Sequence, residues 1–90
     1  MATVVIPPAY QGATGGVTEV EVEGSSVLEC LESVDKLYTG FKALVVAPGG
    51  VTHHFVKLFL NGEQLNGNEV LEAAIGEEDR LEVLSAIAGG

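Results

Sequence analysis

The chain is poor in the residues that usually carry redox chemistry, metal binding and catalysis. Of its 90 residues one is cysteine, Cys30, two are histidine and none is tryptophan. A single cysteine excludes an intramolecular disulfide, which suits a reducing compartment and points to the cytoplasm. There is no CxxC pair, and the histidines, His53 and His54, are neighbours. Adjacent side chains on a strand point to opposite faces, so this pair cannot chelate one ion, and no metal site is expected. Basic residues are scarce as well: four Lys and Arg stand against thirteen Asp and Glu, a formal charge of −9. Such a surface is repelled by nucleic acid and by anionic lipid, so neither is an expected partner, and a basic protein surface is the natural match. No apolar run approaches the ~20 residues of a membrane helix. The N-terminus lacks the basic region and apolar stretch of a signal peptide.

What is present is globular. A hydrophobic fraction of 47% excludes a disordered acidic tail. A chain of this length buries only roughly 60–65% of its surface on folding, which makes one compact domain and leaves little room for a walled catalytic cleft. No linker and no internal repeat interrupts residues 1–90.

Hydrophobic periodicity orders the chain as β-β-α-β-(β)-β. Ala2–Pro8 is β-branched and ends at Pro7-Pro8, which cannot donate ladder bonds. A loop follows, with Gly12 and Thr14-Gly15-Gly16 as turn signals. In Val17–Glu23, Val20 and Val22 alternate with Glu19, Glu21 and Glu23, the pattern of a strand with one wet face. Ser25 or Ser26 can cap a helix, and Ser26 with Glu29 has the spacing of a capping box. Val27, Leu31, Val34 and Tyr38 then recur at helical spacing, and Gly40 closes the helix. Phe41–His53 is irregular and is expected to be a long connection with at most a helical turn. His54–Asn61 is apolar at nearly every position, which predicts a central strand buried on both faces. Asn61-Gly62 signals a tight turn. A short strand is expected near Gln64-Leu65, a helical turn at Glu69–Ala74 and a last strand over Arg80–Ile87. The fold class is α+β: a mixed four- to five-stranded sheet on one main helix, with the crossover placing the first and last strands parallel in the centre.

Most candidate chemical groups have a plain reading. Cys30 in the helix is a small buried hydrophobe. Glu77-Glu78-Asp79 is a solvated charge run. Thr14-Gly15-Gly16 and Pro48-Gly49-Gly50 lack the lysine of a phosphate loop. The end of the chain is the exception. Gly89-Gly90 follows directly on a strongly apolar strand. A tail without Cβ atoms can enter a narrow channel, and its last carbonyl carbon is open to attack from either side. Extended, Ala86–Gly90 reaches roughly 17 Å at about 3.4 Å per residue, enough to deliver a carboxylate into another enzyme's active site.

The first strand Thr3–Pro8, the hairpin to Val22, the helix after Ser25-Ser26, the His54–Leu60 strand with Asn61-Gly62-Glu63, and Leu81–Ala88 with Gly89-Gly90 together resemble the MoaD/ThiS sulfur-carrier family. Ile6-Pro7, Thr14-Gly15-Gly16, the Phe41–His54 connection and the tail Ala86–Gly90 are most similar to the carriers that supply sulfur for cysteine synthesis. The resemblance implies a ubiquitin-like β-grasp fold with a flexible tail over 86–90, and a protein that is a co-substrate rather than an enzyme. It implies that a ubiquitin-activating-type partner adenylates the Gly90 carboxylate with ATP, and that sulfide then yields a thiocarboxylate, with Gly89, Ala88 and Ile87 forming the tail. The carrier itself holds no cofactor. Its acceptor would be a PLP-dependent cysteine synthase, with a metalloprotease releasing the product. The large subunit of molybdopterin synthase, a thiamine or specialised-metabolite pathway, and a role as protein modifier are alternatives. Phe59 and Leu84, rimmed by Glu63 and Glu82, are candidates for a partner-docking patch, against the plainer reading, favoured by how apolar residues usually distribute, that both side chains lie in the core.

Overall fold

The computed structural model describes residues 1–67 and 69–85. In it β1 (Ala2–Val5), β2 (Glu19–Val22), β5 (Val56–Leu60), β6 (Glu63–Gln64) and β7 (Arg80–Ser85) form one five-stranded sheet in the order β2-β1-β7-β5-β6. β1 and β7 pair in parallel, Val4 beside Leu81, and the other neighbours are antiparallel. The expected parallel pairing of first and last strands is therefore present, with β7 in the middle.

One face of this sheet packs on helix α1 (Val27–Leu37). Val4, Val20, Val22, Leu58, Leu81 and Val83 from the sheet meet Val27, Cys30, Leu31 and Val34 from the helix, all buried. The helix begins where its cap is best. Ser26 Oγ accepts the Glu29 amide at 3.2 Å, while a Glu29 carboxylate oxygen accepts the Ser25 amide and the Ser25 hydroxyl, each at 2.8 Å. The reciprocal arm thus reaches one residue before the cap rather than the cap itself.

The connection Phe41–His53 is more regular than its sequence suggests. It holds a short helix α2 (Phe41–Val45) and a two-stranded hairpin of β3 (Val46–Ala47) and β4 (Val51–Thr52) around Pro48-Gly49-Gly50. Phe41 and Val45 are wholly buried, and Asp35 anchors the helix start by accepting the Gly40 and Lys42 amides. The first loop likewise contains a 3-10 helix, Pro8–Thr14, with Tyr10 and Thr14 buried. A shorter 3-10 turn, Val70–Glu72, lies where a helical turn is expected.

Strand β5 differs from its reading. Val56 and Leu58 are buried, but Lys57 is exposed and Phe59 only half-buried. Among the described residues helices cover only one face of the sheet, so the strand is not buried on both. The last strand, expected to reach Ile87, is described to Ser85.

Candidate functional site

The tail residues singled out from the sequence, Ile87, Ala88, Gly89 and Gly90, lie outside the described residues. The structure does show what leads to them. Ser85 is the last described residue of the middle strand, which β1 pairs as far as Glu82 and β5 as far as Ser85, where it opposes Val56.

Strand register decides which candidate docking residues share a surface, because directly opposed residues lie on the same face. Leu84 opposes Lys57, and Phe59 opposes both Glu82 and Gln64. Glu82 is in turn beside Val5, which opposes Glu19. Phe59, Leu84 and Glu82 therefore share the helix-free face. Leu84 is 45% exposed, one of few large apolar side chains so open to solvent. Glu63 does not join them. It opposes Leu60, which opposes the buried Leu81, so it belongs to the helix side at the hairpin end. The two-residue turn sets this register: Asn61 at φ 51° and Gly62 at φ 88° are both left-handed, as the tightest hairpin turn requires. Lys57 and Val5 complete the patch and were not singled out from sequence. Their signal was available, since each lies between two residues of a buried row.

Electrostatics sharpen the edges of the face. Arg80 forms an ion pair with Glu19 across β1, which holds its guanidinium more firmly protonated. At the far end of β7 a latch closes the sheet: Asn61 donates to Asp79 at 3.0 Å and accepts the Arg80 amide at 2.9 Å. The Asn61 bond, then that from the Gly76 amide, hold the Asp79 carboxyl below the usual range.

The remaining candidates are accounted for by packing. Cys30 is fully buried, and burial, then the Glu29 charge, push its thiol pKa up, which opposes thiolate chemistry. His53 stacks on Phe55 with ring centroids 4.9 Å apart, its Nε2 lying 3.0 Å from the Ala43 carbonyl. Among the described residues no group of three or more His, Cys, Asp or Glu is placed to hold a metal ion. Nor is any described helix long and apolar enough to cross a membrane.

A mixed sheet clasping one long helix, with parallel first and last strands, defines a ubiquitin-like β-grasp protein. The profile of the ThiS family matches residues 4–90, and the chain belongs to that family of ubiquitin-like sulfur carriers. It is 30% identical over 90 residues to the sulfur carrier protein CysO of Mycobacterium tuberculosis (strain ATCC 25618 / H37Rv), spanning 98% of this chain and 97% of the relative. It also resembles a chain of the crystal structure of the Amycolatopsis orientalis BexX/CysO complex, with a TM-score of 0.91, 36% identity and 100% of each chain covered. The crystal structure of Mycobacterium tuberculosis CysO matches with a TM-score of 0.85 and 28% identity over 97% of this chain and 100% of that one.

Proposed function

We propose that this sulfur carrier works through the carboxylate of Gly90. A ubiquitin-activating-type enzyme binds the carrier and ATP. A Gly90 carboxylate oxygen attacks the α-phosphorus, pyrophosphate leaves, and the acyl-adenylate makes the carboxyl carbon a strong electrophile. Sulfide adds to that carbon and expels AMP, leaving a terminal thiocarboxylate. Its sulfur is then the nucleophile donated onward, and the similarity to CysO favours cysteine synthesis on a PLP-dependent enzyme as the acceptor route. Release of the product by a protease would restore the Gly90 carboxylate. ATP and PLP belong to the partners, and the carrier acts as a co-substrate.

The observation that carries this reading is the family match running through residue 90. The fold supports it physically. The tail follows a strand that is paired to β1 as far as Glu82 and to β5 as far as Ser85, so its root is held by the sheet and less must be ordered when a partner binds. The face holding Leu84, Phe59, Val5 and Glu82 adjoins that point and supplies an apolar contact of modest size. The complex of a CysO with BexX in Amycolatopsis orientalis is consistent with docking to a partner.

The test is carrier-dependent exchange of labelled pyrophosphate into ATP by the activating enzyme. The full chain should support exchange, whereas deleting Gly90 should abolish it without altering the thermal unfolding midpoint. Equal exchange from the chain lacking Gly90 would refute the assignment.

A further inference from the structure

Charge is segregated along the axis of β7. Residues 1–18 and 43–62 contain no Asp or Glu; all thirteen carboxylates lie between Glu19 and Glu82 outside that second stretch. The fold brings much of the two carboxylate-free stretches to the same end. β1 runs parallel to β7, with Val5 beside Glu82, so the segment after β1 continues toward the Ser85 end of β7. Its 3-10 helix, Pro8–Thr14, packs against α2. β5 begins opposite Ser85, so the residues from β4 to Phe55 gather at the same end. The basic and imidazole groups placed here are Lys57, His53, His54 and, on α2, Lys42; Lys57 and His54 are exposed, and Lys42 is paired to Glu32 at 3.0 Å.

Carboxylates do border this end. Glu82 and Glu19 lie about one row inward, with Glu19 paired to Arg80. Asp35 is engaged by the Gly40 and Lys42 amides. Glu69 precedes and Glu72 closes the 3-10 turn that packs on β4. The opposite end holds Glu23, Glu63, Glu77, Glu78 and Asp79 around the Asn61 latch.

We propose that this segregation is a steering device: Lys57 and the carboxylate-poor end turn the carrier tail-first toward the nucleotide phosphates of its activating enzyme. The inference rests on the proposed activation of Gly90. A body of charge −9 is repelled by bound ATP, and an uneven charge distribution lowers that repulsion for one orientation. The reach from Ser85 to Gly90 is roughly 17 Å when extended, about two Debye lengths at physiological salt. The six residues of β7 span a further ~20 Å at about 3.4 Å per residue, so charges beyond the start of the strand are screened much more strongly.

The experiment measures carrier-dependent ATP–pyrophosphate exchange at low and high ionic strength. It uses the full chain, Lys57→Glu, Glu77→Lys and the double variant, which restores the net charge of −9. Lys57→Glu should raise KM for the carrier about fivefold at low salt, near the low end of steering effects, with kcat unchanged. The gap should close at high salt. The double variant should stay impaired, and Glu77→Lys alone should behave nearly as the unmodified chain. Recovery in the double variant would mean that net charge alone matters, and an unchanged or salt-insensitive KM in Lys57→Glu would mean that no steering occurs; either result overturns the proposal. Absence of exchange with the unmodified chain would instead refute activation itself, and so removes the basis of both readings. Lys57 is exposed, and thermal unfolding of each variant checks that the fold is unaltered.

Discussion

Ser26 and Glu29 fix where the helix starts, and the consequence is measurable. Replacing Ser26 with Ala removes the acceptor for the Glu29 amide and should lower stability by about 1 kcal/mol, read as a fall of roughly 4–8 °C in the unfolding midpoint of a domain this size. The Glu29 carboxyl is held below the usual range, first by the Ser25 amide and then by the Ser25 hydroxyl. A carboxyl whose folded pKa is depressed adds stability above its unfolded pKa and loses it as pH falls through the folded one. Glu29 and Asp79 both follow this sign. Unfolding midpoints should therefore decline from the ordinary carboxylate range downward in pH, and Asn61→Ala should make the acid decline shallower by removing the main cause of the Asp79 shift. A third residue is constrained by space. A Cβ on Gly24 would lie 2.9 Å from both the backbone nitrogen and the sulfur of Cys30. Gly24→Ala should thus destabilise by about 1–3 kcal/mol, detectable by chemical denaturation.

At the scale of elements, β7 separates stability from contact within one strand. Leu81 is wholly buried in the central strand, whereas Leu84 is 45% exposed on the helix-free face. Leu81→Ala should cost about 2–5 kcal/mol. Leu84→Ala should change stability by less than about 0.5 kcal/mol while weakening binding to the activating enzyme, which titration calorimetry would resolve. Loss of folding in the second variant, or unchanged binding, would contradict the placement of that contact. Elements with strong local codes were legible from the residues alone. The Val/Glu alternation of β2, the Ser26–Glu29 cap and the Asn61-Gly62 turn each carry their own geometry. The connection Phe41–His53 was not, because a five-residue helix and two-residue strands are too short to show a period. The two sides of β5 were misread because four of its five residues are apolar and Lys57 alone marks the open face, where no second layer among the described residues covers Phe59. The candidate patch was partly legible. Leu84, Phe59 and Glu82 share a face, while Glu63, near them in the chain, is carried to the other side by the turn register.

The whole molecule is a small acidic body organised around a strand that leads to the terminal glycines. Its net charge of −9 should make association with activating partners sensitive to salt, beyond the orientation effect assigned to Lys57. On the function proposed above, the reacting group is the Gly90 carboxylate and the partners supply catalysis, while Leu84 and its neighbours supply a modest apolar contact. Intact-mass spectrometry of the chain after incubation with activating enzyme, ATP and sulfide tests this most directly. The account predicts a gain equal to one oxygen replaced by sulfur, confined by fragmentation to Gly90 and dependent on ATP. An unchanged mass in an incubation where the enzyme consumes ATP with the carrier, or the added sulfur on Cys30, would contradict it.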